Sequence, residues 1–302
     1  MNPPPFVDAH VHLWKLDAIR YPWLSPPFSD RGPNGNVAAI ARDYLLDDYL
    51  ADARDWDVRG IVHVEAGVEP PAALAETRWL QTVANDRGLP NAIVAFAALD
   101  DPQVEGLIEA HAAHPAVRGI RHIVNWHVDP QRSYTPRDLT IDAAWQNGFG
   151  LLGRYGLSFD LQCYPGQMTT LARLFANHPD VPVVINHAGM PVESDAGEPA
   201  LWRAGMRALA ALPQVCVKLS GFGFIDRNWT IEQIRPYLLE TIDIFGTGRS
   251  LFASDFPTDK LFGSFDRHLG AYRTIVADFS DDEQRDLFGR NANRIYKLGL
   301  EL

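Results

Sequence analysis

Two histidines one residue apart, His10 and His12, stand near the start of the chain. On a strand such a pair shares a face, so both imidazoles can reach one site and there ligate a metal, accept a proton or hold an anion. His187 caps an apolar run, Val-Pro-Val-Val-Ile-Asn-His, and Asp255 stands in Ala-Ser-Asp-Phe-Pro. Both have bland alternatives: a histidine tied to a backbone carbonyl, and an aspartate that caps a helix. Arg121 and His122 are adjacent, and a strand sends neighbours to opposite faces, so only one of them points inward. The expectation is His122, as polariser or proton donor, with Arg121 either an anion clamp or a structural ion-pair partner. Glu65, Cys163 and Lys218 read as structural. The remaining histidines fall on expected helices, helix ends or strand interiors and read as ordinary.

These residues need a scaffold that brings distant segments to one place. Short apolar runs at 6–12, 60–65, 92–99, 117–123, 157–163, 181–187, 215–219 and 250–254 read as buried parallel strands. Between them, 72–86, 104–114, 168–177 and 231–245 carry apolar residues at helical spacing, and Ser280 with Glu283 predicts a capping box opening a last helix over 281–297. No Gly-rich nucleotide loop follows any strand, which favours a closed (β/α)8 TIM barrel, a single α/β domain over 1–302, above an open sheet. In such a barrel the candidate residues all fall at the C-terminal strand ends, where function collects. The irregular stretch 15–36 follows the first strand. With Trp14 just before it and Tyr21, Trp23 and Phe28 within it, it is either a lid that excludes water or plain loop packing.

Composition narrows the partners. Over 302 residues, 46% are hydrophobic and the net charge is −11, which supplies a large core and no basic patch for nucleic acid. Two cysteines form no disulfide framework, no apolar run is long enough to span a membrane, and no signal-peptide pattern is visible. The expectation is a cytoplasmic enzyme acting on a small molecule, with a homo-oligomer compatible.

Further signatures follow in order. They are Val7-Asp8-Ala9-His10-Val11-His12-Leu13-Trp14, Tyr21-Pro22-Trp23-Leu24, Arg118-Gly119-Ile120-Arg121-His122, and Asn186-His187-Ala188-Gly189-Met190-Pro191. Lys218-Leu219-Ser220-Gly221, Ala253-Ser254-Asp255-Phe256-Pro257 and Asn291-Ala292-Asn293-Arg294 complete the series. Together they span nearly the whole chain and resemble the amidohydrolase-related (amidohydrolase 2) family of TIM-barrel metal-dependent hydrolases. The resemblance is to its lactonase-like branch, which includes L-fuconolactonase, L-rhamnono-lactonase, sulfomuconolactone hydrolase and pyrone-dicarboxylate lactonase.

The resemblance implies hydrolysis of a small sugar or carboxylate-bearing lactone, with one divalent metal, zinc or manganese, at His10, His12 and Asp255. The chain departs from metal-rich members: its fourth strand ends on Arg121-His122 and its fifth on Gln162-Cys163, where those members place further ligands. That argues against two metals and leaves metal-free catalysis open. On this reading Asp255 is the general base, and His187 and His122 polarise the carbonyl or protonate the leaving alkoxide. Arg121, Trp14 and Trp23 then contact the substrate. The alternatives are a metal-dependent decarboxylase of the same superfamily, which wants a fuller metal shell, and a non-catalytic binding barrel.

Overall fold

The computed structural model describes residues 4–191 and 197–302. Eight strands form: β1 (Phe6–Val11), β2 (Val58–Val64), β3 (Ala92–Phe96), β4 (Val117–Arg121), β5 (Ser158–Leu161), β6 (Val183–Ile185), β7 (Val215–Leu219) and β8 (Ser250–Phe252). Each pairs in parallel with the next, in sequence order. The ring is drawn together by a parallel bridge between Val11 and Phe256, with His12 N donating to the Phe256 carbonyl (2.8 Å) and Asp255 N to that of His10 (2.9 Å). The closing seam therefore runs through three of the residues that sequence singled out.

Around the ring lie α1 (Leu46–Asp52), α2 (Ala73–Arg87), α3 (Val104–Ala112), α4 (Ala143–Leu151), α5 (Met168–Ala176), α6 (Glu198–Ala210), α7 (Ile231–Phe245) and α8 (Phe265–Ile275). The expected last helix is divided. The Ser280–Glu283 capping box starts α9 (Asp281–Arg285), a π turn spans Asp286–Arg290, and α10 (Asn291–Ile295) follows. The wider turn buries Phe288 against Phe6 and Phe252, at ring distances of 6.1 and 4.7 Å. Among the described residues no helix is long and apolar enough to cross a membrane.

Alternation divides the core. Val7, Ala9, Val62, Val64, Val94, Val184, Leu251 and Ala253 pack together in one cluster with Tyr296, while Phe6, Val11, Ile61, Ile93, Ile120 and Phe252 belong to the larger cluster that includes the helices. Strand β1 breaks its own alternation. Between the pairs Asp8↔Ile61 and Val11↔His63 it advances three residues against two on β2. This bulge turns His10 inward after Ala9 and keeps His12 on the same side. Asp8 pins it, accepting from His10 N (3.3 Å), Ser254 N (2.9 Å) and the Tyr49 hydroxyl (2.9 Å).

Candidate active site

At the C-terminal end of the ring, three atoms converge. His10 Nε2 lies 3.2 Å from His12 Nε2, and Asp255 Oδ1 is 3.4 and 3.2 Å from these two nitrogens. His12 Nδ1 donates to the Val64 carbonyl (2.8 Å), which leaves a lone pair on Nε2. His10 Nδ1 faces the Lys218 ammonium at 3.4 Å; an ammonium can only donate, so the imidazole proton of His10 sits on Nε2. His187 completes the group, its ring 4.8 Å from that of His10 and its Nδ1 3.0 Å from Ser220 Oγ.

The backbone bends to make this possible. His187, Ala188, Met190 and Asp255 all have positive φ, between 46° and 57°, a region that costs a residue with a Cβ about 1–3 kcal/mol. Gly221 leaves room beside the imidazole, since a Cβ there would come within 2.6 Å of His187 Nδ1.

Electrostatics set the protonation states. Burial pulls His187 down to about 4 and His10 well below the usual histidine value, so both are neutral near pH 7. Burial alone would raise the Asp255 carboxyl, but His187, His12 and Arg121 outweigh it and hold the group below the usual carboxylate value. Asp255 is 1% exposed and neither carboxylate oxygen has a hydrogen-bond partner among the described residues. A buried carboxylate stays ionised only where its surroundings offset the lost hydration, and here the nearby positive groups do so while its oxygens stay open to an incoming cation or water proton.

The donor set fits a divalent metal. Ligands about 2.0–2.1 Å from a tetrahedral zinc lie roughly 3.3–3.4 Å from each other, which matches the His10, His12 and Asp255 separations. His10, His187 and Asp255 also each offer an atom within 4.8 Å of the others. The metal group read from sequence thus gains His187 as a further candidate. Ligation through His10 Nε2 would release the proton it carries.

A cavity of about 170 Å3 opens on this group, walled by His12, His187, Asp255, Arg121, Gln162, Trp23, Tyr134 and Phe224 among others. Arg121 donates through Nε and Nη2 to Glu65 Oε1 (2.6 Å) and the Glu65 carbonyl (2.5 Å), and through Nη1 to Gln162 Oε1 (3.1 Å). Its charge is matched by Glu65, so it serves the cavity as a fixed hydrogen-bond donor. Trp23 is locked over Gly67 by a bond from Nε1 to the Ala66 carbonyl (2.7 Å).

Two expectations are corrected. His122 is turned away from the cavity: its Nδ1 accepts from Leu99 N (3.1 Å) and Trp145 Nε1 (3.2 Å), between the barrel and α4. Alternation decides it, because Arg121 and Ile123 take the inward positions. Trp14 also lies outside the cavity wall. The chain leaves the barrel there to bridge Tyr44, and the indole packs behind His12 and Trp23, with Nε1 bonded to the Arg42 carbonyl (2.6 Å).

Other site residues escaped sequence reasoning. Ser220 stands just past β7, where the strand-end rule could have found it. Asp259 is fully buried one helical turn after Asp255, and burial and the Asp255 charge push its carboxyl well above the usual value. Tyr134 and Asn34 meet over the cavity through a 2.7 Å bond between two loops, which no strand pattern reveals.

The chain matches the amidohydrolase family over residues 7–298. It belongs to that family. An uncharacterized protein of Sinorhizobium fredii (strain NBRC 101917 / NGR234) is 40% identical to this amidohydrolase over 97% of its chain and 98% of the relative. An L-fucono-1,5-lactonase of Burkholderia multivorans (strain ATCC 17616 / 249) is 28% identical, over 97% and 96%. The amidohydrolase is also similar to a crystal structure of a Burkholderia multivorans amidohydrolase with bound zinc, at a TM-score of 0.80 and 27% identity, covering 97% and 99% of the two chains.

Proposed function

We propose that this amidohydrolase opens a small lactone by water attack on the ester carbonyl. One observation carries the reading: an ionised, buried Asp255 carboxylate whose oxygens make no well-formed hydrogen bond among the described residues, in the wall of a small cavity. Such a group is placed to take a proton from water. The water oxygen adds to the carbonyl carbon, the proton passes to Asp255, and the ring C–O bond breaks as Asp255 returns a proton to the departing alkoxide. His187, kept neutral, pairs through Nδ1 with the Ser220 hydroxyl; with its one proton on Nε2 it offers that N–H to the developing oxyanion, with Arg121 as a second fixed donor. Trp23 and Tyr134 wall the cavity against bulk water.

A metal, if used, would be held by His10, His12 and Asp255, with His187 beside them; the zinc in the Burkholderia multivorans structure supports this choice. A divalent ion supplies Lewis acidity, polarising a carbonyl and lowering the pKa of water toward about 7. The lactonase relative supports the substrate class. The test is proton release from a panel of five- and six-membered lactones, with and without chelator. Ring opening of at least one lactone is expected, and its response to chelator assigns the metal's part. No release from any of them would overturn the reading.

A further inference from the structure

The Arg121–Glu65 pair has a second acid beside it that the proposed chemistry leaves unused. Glu76, in the first turn of α2, is buried to 1% exposure, as are Glu65 and Tyr21. Its Oε1 accepts from Ala66 N (3.3 Å), and Glu65 Oε2 accepts from Gly67 N (2.7 Å), so the two carboxyls hold consecutive peptides of the segment after β2. The carbonyl of Ala66 takes the Trp23 indole N–H, and Glu69 N donates to the Arg20 carbonyl (3.0 Å), which ties the 15–36 loop to the same segment. Ala66, Gly67 and Trp23 all line the inner cavity. Glu76 therefore stands two hydrogen bonds from Trp23.

Charge balance fixes its state. Arg121 gives Nε and Nη2 to Glu65 and Nη1 to Gln162, and none of these bonds goes to Glu76. An ionised Glu76 would stand beside a like charge, out of water and without a cation of its own, so it keeps its proton. Burial first, then the Glu65 charge, push the carboxyl up to about 8, against weaker pulls from Tyr21, Ala66 N and Arg121. Tyr21 faces Glu76 from the 15–36 loop; burial and both carboxyls raise its phenol far above the usual value, so it stays protonated.

We propose that Glu76 is a positioning residue and an alkaline switch: with its proton it holds the 66–67 segment under Trp23, and without it that segment loosens and the cavity wall opens. An ionised Glu76 is repelled by Glu65 and needs water, which reaches so buried a group only if the 66–67 segment or the Tyr21 segment moves. His187, at about 4, does not titrate in this range, so the effect falls on substrate affinity. The hydrolytic arm of the test rests on the lactone reading of the inner site; the other two arms do not.

Glu76→Gln keeps the size and the acceptor for Ala66 N but cannot ionise. Wild type and variant are followed from about pH 6 to about pH 9 by urea unfolding, by acrylamide quenching of the emission that Trp23→Phe removes, and by KM and kcat on a lactone the wild type hydrolyses. Folding raises the wild-type carboxyl from 4.5 to about 8, so the unfolded chain loses the proton first and stability falls as pH rises across that window. Glu76→Gln should lack this fall. In the wild type, quenching of Trp23 should rise through about pH 8. KM should be about tenfold higher near pH 9 than near pH 7, since only about one molecule in ten keeps the proton there. In Glu76→Gln both stay level. If Glu76→Gln does not fold, Tyr21→Phe carries the test: it removes a pull that favours the ionised acid, so the quenching midpoint moves to higher pH. Transitions that the variants leave in place, or none in the wild type, overturn the proposal. A Glu76-dependent quenching transition without hydrolysis of any lactone keeps the switch and rejects the lactone reading.

Discussion

Two polar clusters lie against each other inside the barrel, and they are built on opposite terms. In the inner one, Asp160 on β5 accepts from Lys218 Nζ (2.5 Å), the Tyr296 hydroxyl (3.0 Å) and Asn186 Nδ2 (3.2 Å). Asp160 and Lys218 sit within strands, are wholly buried and match each other's charge. The other cluster, a single contact away through Lys218 and His10, holds Asp255 without a well-formed hydrogen bond among the described residues and bends the backbone at His187 and Asp255 into the left-handed region. A satisfied buried pair holds structure; an unsatisfied one is kept ready for something that arrives from outside. The contrast separates residues that share one lumen and similar burial.

The largest stability effect should come from the satisfied cluster. Lys218→Met leaves Asp160 buried without its cation and should lower unfolding free energy by about 3–5 kcal/mol in urea titrations. A loss under about 1 kcal/mol would erase the distinction.

Acid should act on the unsatisfied cluster. His187 has a folded-state pKa of about 4, below its unfolded value of about 6.5, so the unfolded chain takes up the proton first. Stability is complete above that window and is lost as pH falls from about 6.5 to about 4, by roughly 3 kcal/mol for this residue. His187→Asn should flatten that part of the stability–pH curve. An unchanged curve would mean that His187 is not held neutral by burial.

The smallest effect on turnover should come from His122→Phe. Two donors, Leu99 N and Trp145 Nε1, lose their acceptor, costing about 1–3 kcal/mol of stability, while turnover stays within a few-fold of wild type. A loss of a hundredfold in turnover would return His122 to the chemistry.

Much of this was legible in the chain because buried parallel strands must be apolar on both faces, and eight such runs announce themselves. His10, His12, His187 and Asp255 were visible as candidates because they stand together at the C-terminal ends of such runs, where a barrel collects function, although His187 and Asp255 each had a structural alternative. The rest depended on geometry that periodicity does not carry. A one-residue step decided between Arg121 and His122 at the end of β4, and a bulge pinned by Asp8 decided where His10 points. The turn at Trp14 toward Tyr44, and the meeting of Asn34 with Tyr134, are set by loop paths that leave no repeat in the sequence.

The central claim is that Asp255 is reserved for catalysis, and one variant tests it. In Asp255→Asn, melting temperature and turnover are measured together on a lactone that the wild type hydrolyses. Asparagine is nearly isosteric but cannot take a proton, so turnover should fall about 10²–10⁴-fold, while the fold persists with a slightly lower melting temperature because the attraction that holds the carboxylate ionised is lost. An Asp255→Asn protein that melts several degrees lower and turns over at the wild-type rate would contradict the account.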